Sequence, residues 1–523
     1  MDNLPKDPNP NPPAGGSNPE PTTPEGGELY QNPDQYSAQL TPETYPPEPT
    51  QTQDFSGVPP PSSPGEFGSV PPPPYEEDRK GKIILIIGII LVVLVVIFLI
   101  IKFLGGRGAS QSSGGELTYW GLWEDANTIK PLIDDYQKSH PNVKITYTKQ
   151  NPKQYRERLQ AALTRGEGPD IFRFHNTWTS MFASDLSPMP DTIYTTTEFE
   201  KTFYPVAKAD LNINNKYYGI PLEIDGLVLL YNDDILKAQN ITVPTDWENF
   251  QQAAITLTTP DSTTGKILNA GVALGSADNI DHFSDILGLM FLQNGTNLQD
   301  PLGPCTDPTS TTCAVDTLIF YRKFAELPNN TWDDTQDNSI VAFAGGKVAM
   351  IFAPTWQIFT IKQINPNLNL KVATVPQLPG ITINWATYWV EGVSKRSKSP
   401  EAAWEFLKFL SSKESLTKLY TEQAKTRIFG EPYSRIDLAS TLESNQYLAP
   451  LIKQAPTMKS FPFASSTQDN GINDQMIKYL LDAVNSLKQG ASPQSALETA
   501  SSGFKQVLTK YTINAAPSTA PIE

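Results

Sequence analysis

LTYWGLWED, residues 117–125, opens the pattern that decides the fold. Residues 117–120 read as a short apolar strand. Ile129, Leu132, Ile133 and Tyr136 then recur at i, i+3, i+4 and i+7, one face of a helix, with Pro131 in its first turn where a missing N–H costs little. Val143, Ile145 and Tyr147 alternate as in a strand. Tyr155, Leu159 and Leu163 return every four residues, and residues 169–174 give a third strand. Strand–helix–strand–helix–strand implies a parallel sheet with helices on its faces. Ligands of such sheets sit beyond the carboxyl ends of the strands. Those ends carry Trp123, Glu124 and Asp125 in one loop, and His175, Asn176 and Trp178 in the other.

Further on, residues 217–231 are strand-rich but interrupted by Pro221, Asp225 and Gly226. Thr245-Asp246-Trp247-Glu248 resembles a capping box, and Ser399-Pro400 and Ser492-Pro493 each place a cap residue before an N1 proline. Strands are expected at 348–352, 370–375 and 386–393, and mostly helix over the last hundred residues.

Before the globular part lies a different kind of chain. Residues 83–101, IILIIGIILVVLVVIFLII, carry no charge and no polar face. As a helix they extend roughly 28 Å, close to the hydrocarbon thickness of a bilayer. A transmembrane helix over 83–104 is expected. It starts too late for an N-terminal signal peptide, and cleavage near residues 106–110 is the alternative. Residues 1–80 hold 21 of the 47 prolines, 13 acidic residues and 3 basic ones, a net −10 out of the chain's −16. Such a segment has too little apolar surface to offset its ordering entropy and is expected to be a disordered acidic tail. Its Pro72-Pro73-Pro74-Tyr75 matches a WW-domain ligand, a string that proline-rich spacers also produce by chance. A Gly/Ser linker over 105–115 leads to about 400 residues of globular composition, too many for one core. The net charge of −6 after the tail leaves no basic face for nucleic acid.

Arg79, Lys80 and Lys82 precede the span, and Lys102 and Arg107 follow it. Three against two leans toward a cytoplasmic N-terminus and a single-pass protein at the cell membrane. Cys305 and Cys313 lie in PCTDPTSTTC, a turn-rich stretch where a short disulfide loop closes easily, two loop thiols being the alternative. A disulfide there would persist only outside the cytoplasm.

The three histidines, His140, His175 and His282, are far apart, so no zinc or haem spacing exists. There is no GxGxxG after a strand, no GxxxxGK[ST], no GxSxG and no HExxH. Carboxylates are abundant, but nothing singles out a glycosidase-type pair. No metal, no cofactor and no catalysis are expected.

Five strings in order resemble the extracellular solute-binding proteins of ABC importers, the family that includes maltose-binding protein. LTYWGLWED with PNVKITYT is similar to that family's opening strand–helix–strand, and GEGPDIFRFHNTW to its Gly-x-Gly-Pro-Asp segment. NKYYGIPLEIDGLVLLYNDDIL resembles the crossing into a second lobe, AFAGGKVAMIFAPTW a Gly-Lys turn and strand ending at an aromatic, and YWVEGVSKRSKSPEAAWEFLKFLSS the return. The resemblance covers 116–515. It implies an α/β, two-lobed, periplasmic-binding-protein-like fold with a hinge. Lobe one would be about 116–225 and 391–440, and lobe two about 226–390 and 441–515. Two departures stand out. No cysteine near residue 105 is available for a lipid anchor, so the membrane span would serve. And FPFASSTQDNGIND, residues 461–474, is polar where sugar binders often present an aromatic.

Sugars are held by aromatic faces against C–H surfaces and by planar polar groups that bridge hydroxyls. The candidates are Trp123, Glu124 and Asp125; His175, Asn176 and Trp178; Glu223 and Asp225 at the hinge crossing; Trp356; and one of Tyr388 and Trp389, which alternate on a strand. The expected function is capture of a carbohydrate-like solute, with delivery to an ABC permease. A fixed surface sensor or adhesin on the same fold is the alternative, and a glycoside-active enzyme the more distant one.

Overall fold

The protein was analysed as a computed structural model, which describes residues 115–307 and 309–511. The acidic tail, the span over 83–104 and the linker up to residue 114 lie outside the described residues. Among the described residues no helix is long and apolar enough to cross a membrane.

Two five-stranded sheets each centre a lobe. The first is built from β1 (Gly115–Gly121), β2 (Val143–Lys149), β3 (Ile171–His175), β6 (Ile220–Pro221) and β13 (Trp389–Val393). Its order is β2-β1-β3-β13-β6. The first three strands are parallel, joined by helices Ala126–Ser139 and Tyr155–Arg165 as the periodicity requires. Gly115, expected in the linker, already pairs with Val143. β13 runs antiparallel to β3, so its first residue, Trp389, sits opposite His175, the last of β3. A strand returning from far along the chain thus adds its start to the ligand end of the sheet.

The short hairpin β4 (Asn212–Ile213) and β5 (Lys216–Tyr217) precedes the crossing. The second sheet contains β7 (Leu227–Asn232), β8 (Thr259–Pro260), β9 (Ile267–Val272), β10 (Val348–Pro354) and β11 (Leu370–Ala373), in the order β11-β7-β10-β9-β8. All seven residues of β10 are buried, as expected for a central strand covered on both faces. Helix Trp247–Leu257 is capped by Asp246, which accepts from Asn249 N at 2.9 Å. The expected cap, Thr245, is one residue early because Asp246 is the stronger acceptor. Cys305 and Cys313 form a disulfide beside helix Cys313–Lys323.

Crossing segments join the sheets and hydrogen-bond to one another. Gly226 bridges Ala386, Thr387 N donates to Asp225 O at 2.9 Å, and Ile224 N donates to Pro432 O at 2.9 Å. β12 (Asn384–Trp385) pairs with β14 (Met458–Lys459), beside the same crossing. A Cβ on Gly226 would collide with the Trp385 carbonyl, so the close approach of these strands requires glycine.

Candidate functional site

The loop after β1 and the ends of β3 and β13 bring four rings together. Trp389 lies edge-on to Trp123 at 5.5 Å between centroids, to His175 at 5.1 Å and to Trp178 at 5.3 Å. Trp123 is the outermost, at 39 % exposure, and Trp178 the innermost, at 1 %. Trp389, partly exposed, is the ring between them. Tyr388 points to the other face of its strand, fully buried, and donates its hydroxyl to Asp210 at 2.8 Å. Asp210 also accepts from Asn176 at 2.8 Å and from Ser460, and burial pushes its carboxyl up to about 6.

Behind the rings lies a buried ion network. Arg173, in the middle of β3, pairs with Glu124 at 2.8 Å and with Glu391 at 2.7 Å. Tyr119 donates to Glu391 at 2.5 Å, and Gln423 to the second oxygen of Glu124 at 3.0 Å. Glu124, expected at the ligand, therefore turns inward with both oxygens held by protein donors. Asp125 stays exposed and pairs with Lys149 at 2.8 Å. It occupies the N-cap position of helix Ala126–Ser139 without a side-chain bond to that helix's backbone. His175 is buried between Thr177 Oγ1 at 2.8 Å and Thr387 Oγ1 at 3.0 Å. Burial lowers it to about 3, which keeps the imidazole neutral.

Glu223 and Asp225 are scaffold groups of the crossing. Glu223 accepts from Trp389 N at 3.1 Å and has the Glu431 carboxyl beside it. Burial and then the Glu431 charge hold Glu223 well above the carboxylate range. Burial alone would raise Glu431 too, but Arg427, paired at 2.8 Å, overrides it and keeps it low. Asp225 accepts from the backbone N–H of Gly226 at 2.7 Å, Thr355 at 3.0 Å and Trp356 at 3.2 Å, and burial pushes it up to about 7. It thereby fixes the end of β10, where Trp356 stands partly exposed.

Trp356 has a partner that sequence reasoning missed. His282, in the left-handed conformation ahead of helix Phe283–Gln293, meets Trp356 edge-on at 5.7 Å. Its Nδ1 is 2.6 Å from Ser465 Oγ, while its buried Nε2 has no hydrogen-bond partner. A lone histidine before an apolar helix gave no sequence signal. The polar 461–474 segment, singled out in the sequence only for lacking an aromatic, supplied no candidate residue. Asn473 reaches Thr177 Oγ1 at 2.8 Å, Asn470 reaches Glu157 at 2.7 Å, and the Asp469 carbonyl accepts from Arg156 at 2.6 Å. It spans from the second lobe's helices to the first lobe. Trp178 Nε1 and Thr467 Oγ1, in these same segments, are also buried without partners. Buried polar groups are normally paired, so such a collection beside half-exposed indoles is suited to a ligand rich in hydroxyls.

The family model for bacterial extracellular solute-binding proteins matches residues 131–428. The chain is 24 % identical to the maltodextrin-binding protein of Bacillus subtilis over 278 residues, 50 % of this chain and 61 % of that protein. It is 22 % identical to the multiple sugar-binding protein of Streptococcus mutans over 347 residues, 64 % of this chain and 78 % of that one. With the maltotriose-binding protein of Pyrococcus abyssi the match, 24 % identical over 130 residues, spans 24 % of this chain and 28 % of that protein. Among solved structures, a cyclo/maltodextrin-binding protein complexed with maltotetraose superposes with a TM-score of 0.60 at 20 % identity, covering 76 % of this chain and 98 % of that one. A sugar-binding protein from Xanthomonas citri gives 0.61 at 17 % identity over 76 % of this chain and 98 % of that one. These likenesses establish the two-lobed fold.

Proposed function

The chain belongs to the bacterial extracellular solute-binding proteins, and from that membership we propose that it captures a neutral saccharide between its two lobes. The observation that carries this reading is the pairing of half-exposed indoles, Trp123, Trp389 and Trp356, with buried polar atoms that lack protein partners. Stacking on C–H faces and hydrogen bonds to hydroxyls are the two demands of sugar recognition. The relatives' names point the same way, since they speak of maltodextrin, maltotriose and multiple sugars. The carboxylates nearest the rings are engaged by protein partners, Glu124 by Arg173 and Glu223 by Glu431, which favours binding over glycoside chemistry.

The bound sugar would be handed to an ABC-type importer. Residues 83–101 would anchor the lobes at the outer face of the membrane, with the acidic tail in the cytoplasm. A thermal-shift screen of the full chain, in a detergent without a sugar headgroup, tests the ligand class. Maltotriose, mannobiose and cycloalternan should raise the unfolding temperature, and no shift with any saccharide would overturn the reading. Protease added to intact cells should remove the lobes and spare the tail; the reverse would overturn the topology.

A further inference from the structure

Residues 464–473 form a loop tied at its base by one side chain. Asn473 Oδ1 accepts from Ala464 N at 3.2 Å, while its Nδ2 donates to Asp469 Oδ2 at 3.0 Å and to Thr177 Oγ1 at 2.8 Å. Asp469 is fully buried and gathers the backbone N–H of Gly471 at 2.8 Å and of Asn473 at 3.1 Å, at the start of helix Ile472–Lys488. Within the loop Ser466, Gln468 and Asn470 all hold left-handed backbone, at φ of 61°, 48° and 42°. Residues with a Cβ rarely adopt that conformation, and it persists where surrounding contacts impose it.

Those contacts come from both sides of the crossing. Ser465 N donates to Asp285 Oδ2 at 3.1 Å, Ser465 Oγ meets His282 Nδ1 at 2.6 Å, and the Phe463 carbonyl accepts from Ser284 Oγ at 2.7 Å. These partners lie at the start of helix Phe283–Gln293, in the connection from β9 to β10. The far end of helix Ile472–Lys488 is tied to the same connection, where Lys488 pairs with Asp334 at 2.7 Å and Asp278 at 3.0 Å. On the other side, the Asp469 carbonyl accepts from Arg156 Nε at 2.6 Å and Asn470 Nδ2 donates to Glu157 at 2.7 Å. Arg156 and Glu157 are on the helix between β2 and β3, and Thr177 follows β3.

The loop therefore links the two ring groups. Through His282 it backs Trp356, and through Thr177, which meets His175 Nδ1 at 2.8 Å, it backs Trp389. A rotation of the lobes about the crossing segments cannot keep both sets of bonds. The second-lobe set is reinforced by the covalent continuation into helix Ile472–Lys488, so the loop parts from Arg156, Glu157 and Thr177 as the cleft opens. Trp123, Trp389 and Trp356 stay partly exposed, so the loop lies beside the indoles and does not cover them. We propose that residues 464–473 are a closing strap, whose bonds to Arg156, Glu157 and Thr177 form as the lobes close on ligand and slow its release. This rests on the carbohydrate reading for the ligand and goes beyond it, since a ligand of the closed form gains whatever the strap adds to closure.

The test is the full chain carrying Arg156→Ala with Glu157→Ala, in a detergent without a sugar headgroup. Arg156 and Glu157 pair with each other at 3.3 Å, so removing both strands neither charge, and Ala suits a helix surface. The probe is whichever of maltotriose, mannobiose and cycloalternan binds the wild type tightest. The double variant should keep the wild-type unfolding temperature and lose on the order of ten-fold in affinity, as faster dissociation. Unchanged affinity would overturn the strap and leave the carbohydrate reading standing. Tighter binding would overturn it too, since the loop would then be a barrier to the ligand. Hydrogen exchange supplies a second readout: saccharide should slow the amides of residues 465–474 in the wild type, and equal rates with and without it would overturn the strap. If the wild type binds none of the three sugars, the carbohydrate reading falls, and the unliganded proteins decide the strap. Faster exchange of these amides in the double variant would support it, and equal exchange would overturn it.

Discussion

The two indole groups are held by opposite means. Trp123, Trp178 and Trp389 stand in front of charges: Arg173 between Glu124 and Glu391, sealed inside the first sheet. Trp356 stands on backbone N–H groups gathered by Asp225, a carboxyl whose burial favours its protonated form. A buried ion network is costly to break, because removing one partner strands the others without an opposite charge. A lone buried carboxyl has no opposite charge to keep it ionised. The second group should therefore be sensitive to proton concentration; in the first, Glu223, also raised by burial, accepts from Trp389 N beside the ion network. Asp225 lies in a crossing segment, so that sensitivity is placed at the joint between the lobes.

The strongest way to break the contrast is Arg173→Met. It leaves Glu124 and Glu391 buried without a cation, and should cost about 3–5 kcal/mol in denaturant unfolding. Adding Glu124→Gln and Glu391→Gln should recover part of it. A loss under 1 kcal/mol for the single change would mean that the network does not hold the first wall.

A smaller effect is expected in the second lobe from Cys305→Ser with Cys313→Ser. The closed loop spans a sequence separation of 8, and its removal should cost roughly 2–3 kcal/mol on the loop-entropy model. Saccharide affinity should be unchanged, since the loop is not part of either indole group.

Asp225→Asn sharpens the pH contrast. The folded value is raised from an unfolded value near 4 to about 7, so the folded state holds the proton more tightly. The stability this gives is present in full below about pH 4 and is lost as pH rises through about 7. Asp210, raised to about 6, acts in the same direction. Unfolding free energies measured from pH 4 to 8 should fall more steeply in the wild type than in Asp225→Asn. Parallel curves would remove Asp225 as the sensitive group.

Legibility from the sequence followed the range of the interactions. The opening strand–helix–strand–helix–strand was readable because Ile129, Leu132, Ile133 and Tyr136 mark one helix face within eight residues. The end-of-strand position of Trp123 and His175 came with it. Glu124 is a candidate hydroxyl acceptor by its place in the loop, but the partners that engage it, Arg173 and Gln423, lie 49 and 299 residues away and leave no local signal. Asp225 was read as a hinge carboxylate facing ligand, but its donors Thr355 and Trp356 are 130 and 131 residues on. Trp178 was expected to stack on a sugar and instead backs Trp389, a burial that strand position alone does not encode. The pairing of His282 with Trp356 depends on how helix Phe283–Gln293 meets the end of β10, and no local pattern announces it.

The central claim is that indoles from both sides take hold of a neutral sugar. Its most direct measurement is calorimetric titration of wild type and Trp356→Ala with the tightest saccharide from the screen. Losing one large aromatic contact should weaken binding by about 1–3 kcal/mol while the unfolding temperature stays close to that of the wild type. Equal affinities, or tight binding of an anionic peptide in place of any sugar, would contradict the account.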